Sequence, residues 1–316
     1  MPQDTTVYTI TNPTDSSSLP DSIKAILNAM PDTLATKITP RNPQHPNNEG
    51  TGNSIFVFVI ILSIFLLPSL LRYIITWRTK KKKIKDYLSK EIVFDNILQQ
   101  YNPYYKSLNI VDREYFMQRT VEFMGSKDFQ YIGIEPEEMM PLLISGAAIQ
   151  LTFGLKHYLL DYFKTIYVLR DHYTYGLYNH PFEGHVSEDG VYLSWNNFIR
   201  EYNDYTDGQN VGLHELSHAL TYVNFTVEDG ADSSFHDKFK EFSKIARPIF
   251  EKMQAGQTNL LDRYAATNYH EFWAVCIENF FERPTQFKQQ MPDLYFALCN
   301  LLNQDPMTPH KIISAI

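Results

Sequence analysis

The stretch Val211-Gly-Leu-His214-Glu215-Leu216-Ser217-His218-Ala-Leu-Thr-Tyr-Val-Asn-Phe225 decides how this chain reads. Residues four apart on an α-helix differ by about 40° round the axis and lie one turn apart, so the imidazoles of His214 and His218 can converge on one ion. Glu215, about 100° round from its neighbour, cannot join them easily. It stands beside the metal, where a carboxylate can take a proton from a water whose pKa zinc lowers to about 7. HExxH on a helix is the minimal apparatus for holding zinc and activating water.

On a helical wheel Gly212, Leu213, Leu216, Ala219, Leu220 and Val223 fall on one apolar arc, with His214 and His218 roughly opposite. Such a helix buries one side and turns both histidines towards a cleft. Catalytic zinc sites use three protein ligands and an open position, so a third ligand must be sought. The HExxHxxGxxH extension is excluded, because Thr221 and Asn224 stand where it needs Gly and His. Glu228, Asp229, Asp232 and His236 follow no ligand pattern and read as solvated loop groups.

A second helix is predicted over 268–282. It ends before Pro284 and opens near Thr267 or Asn268, either able to cap it. Phe272, Trp273, Cys276, Ile277, Phe280 and Phe281 give it a wide apolar face, and Glu271, Ala274, Val275, Glu278 and Glu282 make the other. Alone, those acids read as an ordinary solvent face. Beside an HExxH, one of them should be the third ligand.

The segment His214-Glu-Leu-Ser-His-Ala-Leu220, followed by Tyr264-Ala-Ala-Thr-Asn-Tyr-His-Glu271-Phe-Trp-Ala-Val-Cys-Ile-Glu-Asn-Phe-Phe-Glu-Arg-Pro284, resembles the zinc peptidases of the Mlc titration factor A family. The core of that family is similar to the catalytic domain of anthrax lethal factor. The likeness runs over about residues 87–303 and includes 145–154 and 190–195. It implies a zincin-like fold with one Zn2+ per chain held by His214, His218 and Glu271. It also implies peptide-bond hydrolysis with Glu215 as general base and Tyr264 reaching into the active site to stabilise the oxyanion. Glu278 lies two turns beyond Glu271 on the same face. It reads as an acceptor for the outer nitrogen of a ligating imidazole or as a plain surface glutamate.

An extended peptide substrate is expected to pair with an edge strand above the metal helix. The candidates are Val191-Tyr-Leu-Ser-Trp195, after the turn at Glu188-Asp-Gly190, and Thr165-Ile-Tyr-Val-Leu169.

The chain preceding this domain reads differently. Residues 54–77 are almost wholly apolar (IFVFVIILSIFLLPSLL, then Tyr73, Ile74, Ile75 and Trp77), with Arg72 near one end. About 20 such residues cross a hydrocarbon core, so one transmembrane helix is expected here. Arg78, Lys80-Lys-Lys-Lys83 and Lys85 crowd the linker 78–86, while residues 1–53 hold only Lys24, Lys37 and Arg41. The charge bias predicts a cytoplasmic catalytic domain, 87–316, with the tail on the outer side and the basic run near anionic lipid. The tail, rich in Pro, Ser, Thr, Asn and Asp, is expected to be disordered apart from a short amphipathic helix over residues 22–30.

The 316 residues are 44% hydrophobic and 14% aromatic, enough to build a core. A net charge of -8 argues against a general nucleic-acid partner. Cys276 and Cys299 form no CxxC pair and read as reduced core residues. Helices are predicted near 89–101, 112–125, 136–154, 195–204, 210–224, 235–255, 268–282, 285–302 and 308–315, with strands near 130–133, 165–170 and 190–195. The fold class is α+β, mainly helical with a small sheet. Two other readings use the same fold: a regulatory protein that sequesters a cytoplasmic partner, such as a transcriptional repressor, at the membrane, and a catalytically silent scaffold.

Overall fold

The computed structural model describes residues 51–174, 181–227 and 232–308, with side chains from residue 66 onward. In chain order the elements are α1 (Thr51–Leu88), α2 (Glu91–Tyr101), α3 (Pro103–Ser107), α4 (Ile110–Ser126), β1 (Asp128–Ile132), α5 (Met139–Thr152), β2 (Thr165–Leu169), β3 (Gly184–Ser187), β4 (Gly190–Ser194), α6 (Trp195–Asn203), α7 (Val211–Phe225), α8 (Ser233–Gln254), a 3-10 turn (Arg263–Ala266), α9 (Tyr269–Glu282), α10 (Pro284–Gln290) and α11 (Pro292–Leu302). This is a mainly helical α+β fold with one small sheet.

Short polar residues start many of these helices by accepting the first free amides. Asn102, Asn109, Asn210, Asp232 and Asn268 cap α3, α4, α7, α8 and α9 with side-chain oxygens. Pro at the first position opens α3, α10 and α11, where its missing N–H costs nothing. Pro292 also explains why the helix predicted over 285–302 is two helices that meet at Met291. The helix predicted near 136–154 begins three residues later, at Met139, and ends at Thr152.

The sheet has strand order β1-β2-β4-β3. The first three strands are parallel, and β3 is antiparallel to β4, with His185 opposite Tyr192. Both strands offered for substrate pairing, β2 and β4, are therefore interior. The edge nearest the HExxH helix is β3, a four-residue strand that the sequence did not announce because only Val186 in it is a strong strand former. Helix α7 packs against β3 and β4 on one side and against α5 and α9 on others. Helix α5 is buried almost throughout (Leu142 to Thr152), so α7 lies against a dry core.

Residues 78–86 lie within α1, and Ile84 and Tyr87 pack on the core of the domain. Among the described residues no helix is long and apolar enough to cross a membrane. The side chains of 54–65, half of the expected span, lie outside the described residues. From Leu66 on, exposed Leu66, Leu67, Leu70, Leu71 and Trp77 are interrupted by Arg72 and Arg78 and followed by the lysine run, so this part alone is not a spanning stretch. Residues 22–30 and 309–316 also fall outside the described residues.

Candidate metal centre

The start of α7 is held by carboxylates. Asn210 Oδ1 accepts from Leu213 N at 2.9 Å. Glu201 accepts from Val211 N at 2.5 Å, and Glu278 accepts from Asn210 N at 3.1 Å. Glu282 accepts from both Asn210 Nδ2 (2.9 Å) and Gly208 N (3.1 Å). Free amides and the positive end of the helix dipole favour anions at this position. Further along, the Trp273 indole donates to Ser217 O at 3.0 Å, which ties α9 alongside α7. Asn268 accepts from both His270 N and Glu271 N, fixing Glu271 in the first turn of α9.

These contacts bring His214, His218 and Glu271 together, with one ligand atom from each inside a triangle no wider than 4.8 Å. His214 Nε2 lies 2.9 Å from Glu271 Oε2, and His218 Nε2 lies 3.7 Å from Glu271 Oε1. On its other edge, His214 Nδ1 is 3.2 Å from Glu278 Oε1. Tyr264 is 54% exposed, yet its hydroxyl contacts Glu271 and its ring lies 6.2 Å from the ring of His214.

Glu215 is only 6% exposed, and its Oε2 is buried without a hydrogen-bond partner. Gly184 of β3 sits directly on it: a Cβ there would come within 2.4 Å of Glu215 Cγ. A recess of about 360 Å³, lined by His214, Glu215, Tyr264, Glu183, Asp262 and Glu278, opens beside this pair.

The electrostatics follow from crowding charge in a partly dry site. Burial pushes the Glu215 carboxyl up to about 7, with Glu271 and Glu278 adding to the rise and His214 opposing it. Burial alone would lower the His214 imidazole, but Glu278 and Glu271 reverse this and hold it well above its ordinary value. Burial lowers His218. Burial would raise Glu271, but its hydrogen bonds to both histidines hold it well below the usual carboxylate range. Tyr264 is pushed up to about 12 by burial of its hydroxyl and by the adjacent Glu271. The donor set is two imidazoles and an ionised carboxylate, with one ligand atom of each within 4.8 Å of the others. On binding a metal the histidines would give up the protons they now share with Glu271. A buried carboxylate oxygen beside them lacks a donor. Such a set fits a divalent metal and its water.

Residues 74–302 match the sequence profile of the glucose-regulated metallo-peptidase M90 family, over two thirds of the chain. The chain belongs to this family. It is the family of Mlc titration factor A, which the segments around His214 and Glu271 resemble. The chain is also similar to an uncharacterized protein of Synechocystis sp., at 23% identity over 226 residues, which cover 65% of this chain and 81% of that protein. Membership implies a metallopeptidase-like function and a metal.

Several residues of this M90 member differ from their sequence reading. Of the two readings of Glu278, only the plain surface glutamate differs from the structure: the residue is 7% exposed and lies against both His214 Nδ1 and the α7 cap, as the acceptor reading expects. Glu282 is equally buried, because α9 is enclosed on all faces beyond its first turn. His236 stacks on Phe225, donates from Nε2 to Asn224 O, and takes no part in the cluster. Asp232 caps α8, and Glu228 and Asp229 lie outside the described residues. Sequence reasoning missed Asn210, Glu201, Glu282 and Gly184. Asn210 was signalled by its place before a helix, whereas the other three carry no local signal.

Proposed function

We propose that this chain is a zinc-dependent peptidase in which His214, His218 and Glu271 hold the metal and Glu215 is the general base. One observation carries the reading: a His–His–Glu triangle stands next to a buried carboxylate whose Oε2 has no partner. The ligand atoms lie 2.9 and 3.7 Å apart across Glu271 and no more than 4.8 Å apart overall, close enough for all three to hold one divalent ion.

When bound, zinc supplies polarisation of the scissile carbonyl and acidifies the attacking water to a pKa of about 7. Glu215 Oε2 would take a proton from the water as the water oxygen bonds to the carbonyl carbon, and would hand that proton to the amine nitrogen as the C–N bond breaks. Tyr264 donates its hydroxyl proton in a hydrogen bond to the oxyanion, which its raised pKa allows at neutral pH. With the metal bound, Glu278 would accept from His214 Nδ1–H, and Nε2 would give up its proton to become the ligand atom. The peptide lies along the outer edge of β3, whose backbone can bind it without reading side chains. A protein that only sequesters a regulator has no use for an unpartnered carboxylate beside a ligand triangle, which favours the enzyme over that reading and over a silent scaffold.

The apolar run 54–77 and the basic residues 78–85 support a single-pass anchor with the peptidase on the cytoplasmic side and the N-terminal tail outside. Release of the full chain from membranes by alkaline carbonate would contradict the anchor, and tail digestion only in opened cells would reverse its orientation. For the peptidase, the full chain should carry about one zinc and cleave members of a peptide library. His218→Ala should lose both properties; cleavage undiminished in that variant would remove the assignment.

A further inference from the structure

The metal triangle has unlike neighbours on its two sides. On the side of His214 is the recess lined by carboxylates already described. On the side of His218 is a separate pocket of about 330 Å³, with walls that include Thr221, Tyr222, Phe225, Phe239 and Trp273. That volume is at the small end for ligand pockets, right for one side chain and too small for a large cofactor. His218 belongs to both places: its Nε2 lies 3.7 Å from Glu271 Oε1 in the triangle, and the residue also lines the pocket.

The wall is aromatic and fixed. Trp273 is fully buried, pinned through its indole N–H to Ser217 O, and packed edge-on against Phe239 and Phe242, each at 5.4 Å between centroids. Phe225, on the last turn of the helix that carries both histidines, lies 4.8 Å from Phe239 and is nevertheless 49% exposed. Arg247 also lines the pocket, its guanidinium stacked 5.0 Å over Tyr269. A cation in the wall repels a basic side chain, while the aromatic faces favour an apolar one.

We propose that this pocket receives a large apolar side chain, aromatic above all, adjacent to the bond cut at the His214–His218–Glu271 cluster, and so selects the substrate. The proposal rests on the peptidase reading. It makes the chain selective for peptides with Phe, Tyr, Trp or Leu beside the scissile bond and against Lys or Arg at the same position.

The test uses the zinc-loaded full chain and two probes, N-acetyl-phenylalanine hydroxamate and N-acetyl-glycine hydroxamate, with affinities measured by calorimetry. Burial of the benzyl group should make the first bind about ten- to thirtyfold tighter. Phe225→Ala should reduce that advantage. Thr226→Trp, at an exposed pocket residue, should fill the mouth and abolish the advantage while zinc content stays unchanged. In a peptide library, the wild type should cut next to large apolar residues and the Thr226→Trp substitution should erase the preference. Equal affinity for both probes, or an advantage untouched by Thr226→Trp, with cleavage retained, would overturn the pocket and leave the peptidase standing. Failure to bind either hydroxamate together with no cleavage of any library member would remove the peptidase reading, and the pocket's role with it.

Discussion

His214 Nδ1 lies 3.2 Å from Glu278 Oε1, while its other ring nitrogen lies 2.9 Å from Glu271 Oε2. The two glutamates are two turns apart on α9, so one helix supplies both the ligand and the group that orients its neighbour. Removing an acceptor behind a ligating imidazole typically costs about 10- to 100-fold in metal affinity. Glu278→Gln should therefore weaken zinc binding by that order, read by competition with a chelator. Zinc affinity equal to wild type would show that Glu278 does not orient His214.

Gly184→Ala tests whether β3 positions the base. The added Cβ would lie 2.4 Å from Glu215 Cγ and 2.8 Å from its Oε1, so the carboxylate must move. A displacement near 1 Å at a catalytic group costs about 100-fold in rate. The expected result is kcat lower by about that factor with zinc content unchanged. Normal kcat in a folded Gly184→Ala variant would show that Glu215 has room to spare.

Asn210 joins three structures: it caps α7, receives Glu278 on its backbone N–H and offers Nδ2 to Glu282. Loss of a cap costs about 1 kcal/mol, and loss of a donor to a buried carboxylate costs on the order of 1–3 kcal/mol. Asn210→Ala should lower Tm by several degrees, about 5 °C or more for a domain of this size. A change within about 1 °C would mean that the cap is redundant.

Lys127 is buried with Nζ within hydrogen-bond distance of the carbonyls of Leu159, Leu160 (2.9 Å) and Phe163 (2.8 Å), beside a turn in which Leu160 has φ 47°. Burial lowers its ammonium to about 7 from 10.5. Between those two values the unfolded chain binds the proton and the folded chain does not. Stability contributed at this site therefore rises with pH across that window, by up to about 1.4 kcal/mol per pH unit. Denaturant titrations of wild type and Lys127→Met at about pH 6.5, 8 and 9.5 should show the wild type gaining on the variant as pH rises. A constant difference would show that the three carbonyls keep the ammonium charged.

What the sequence disclosed and what it hid divide along physical lines. The wheel of α7 was readable because burial there follows a 3.6-residue period: Leu213, Leu216, Ala219 and Leu220 are all within 1% of full burial and both histidines are not. The interior acids were not readable. Glu278 and Glu282 look like a solvent face and Glu201 like an ordinary helix acid, and it is the N–H groups of Gly208, Asn210 and Val211, together with the Asn210 side chain, that partner them once buried. Strand β3 was hidden for a related reason: its place is set by pairing with β4, and Gly184 matters through a contact with Glu215, 31 positions away in sequence. The break between α10 and α11 was written in Pro292 but was masked by apolar periodicity on both sides of it.

The most direct test of the peptidase assignment is a paired measurement on the full chain and its Glu215→Gln variant: bound zinc per chain, and cleavage of a peptide library under the same conditions. Both proteins should hold about one zinc, because Glu215 is not a ligand, and only the wild type should cut. Cleavage by the Glu215→Gln variant at the wild-type rate, or a wild type that binds no zinc, would contradict the assignment.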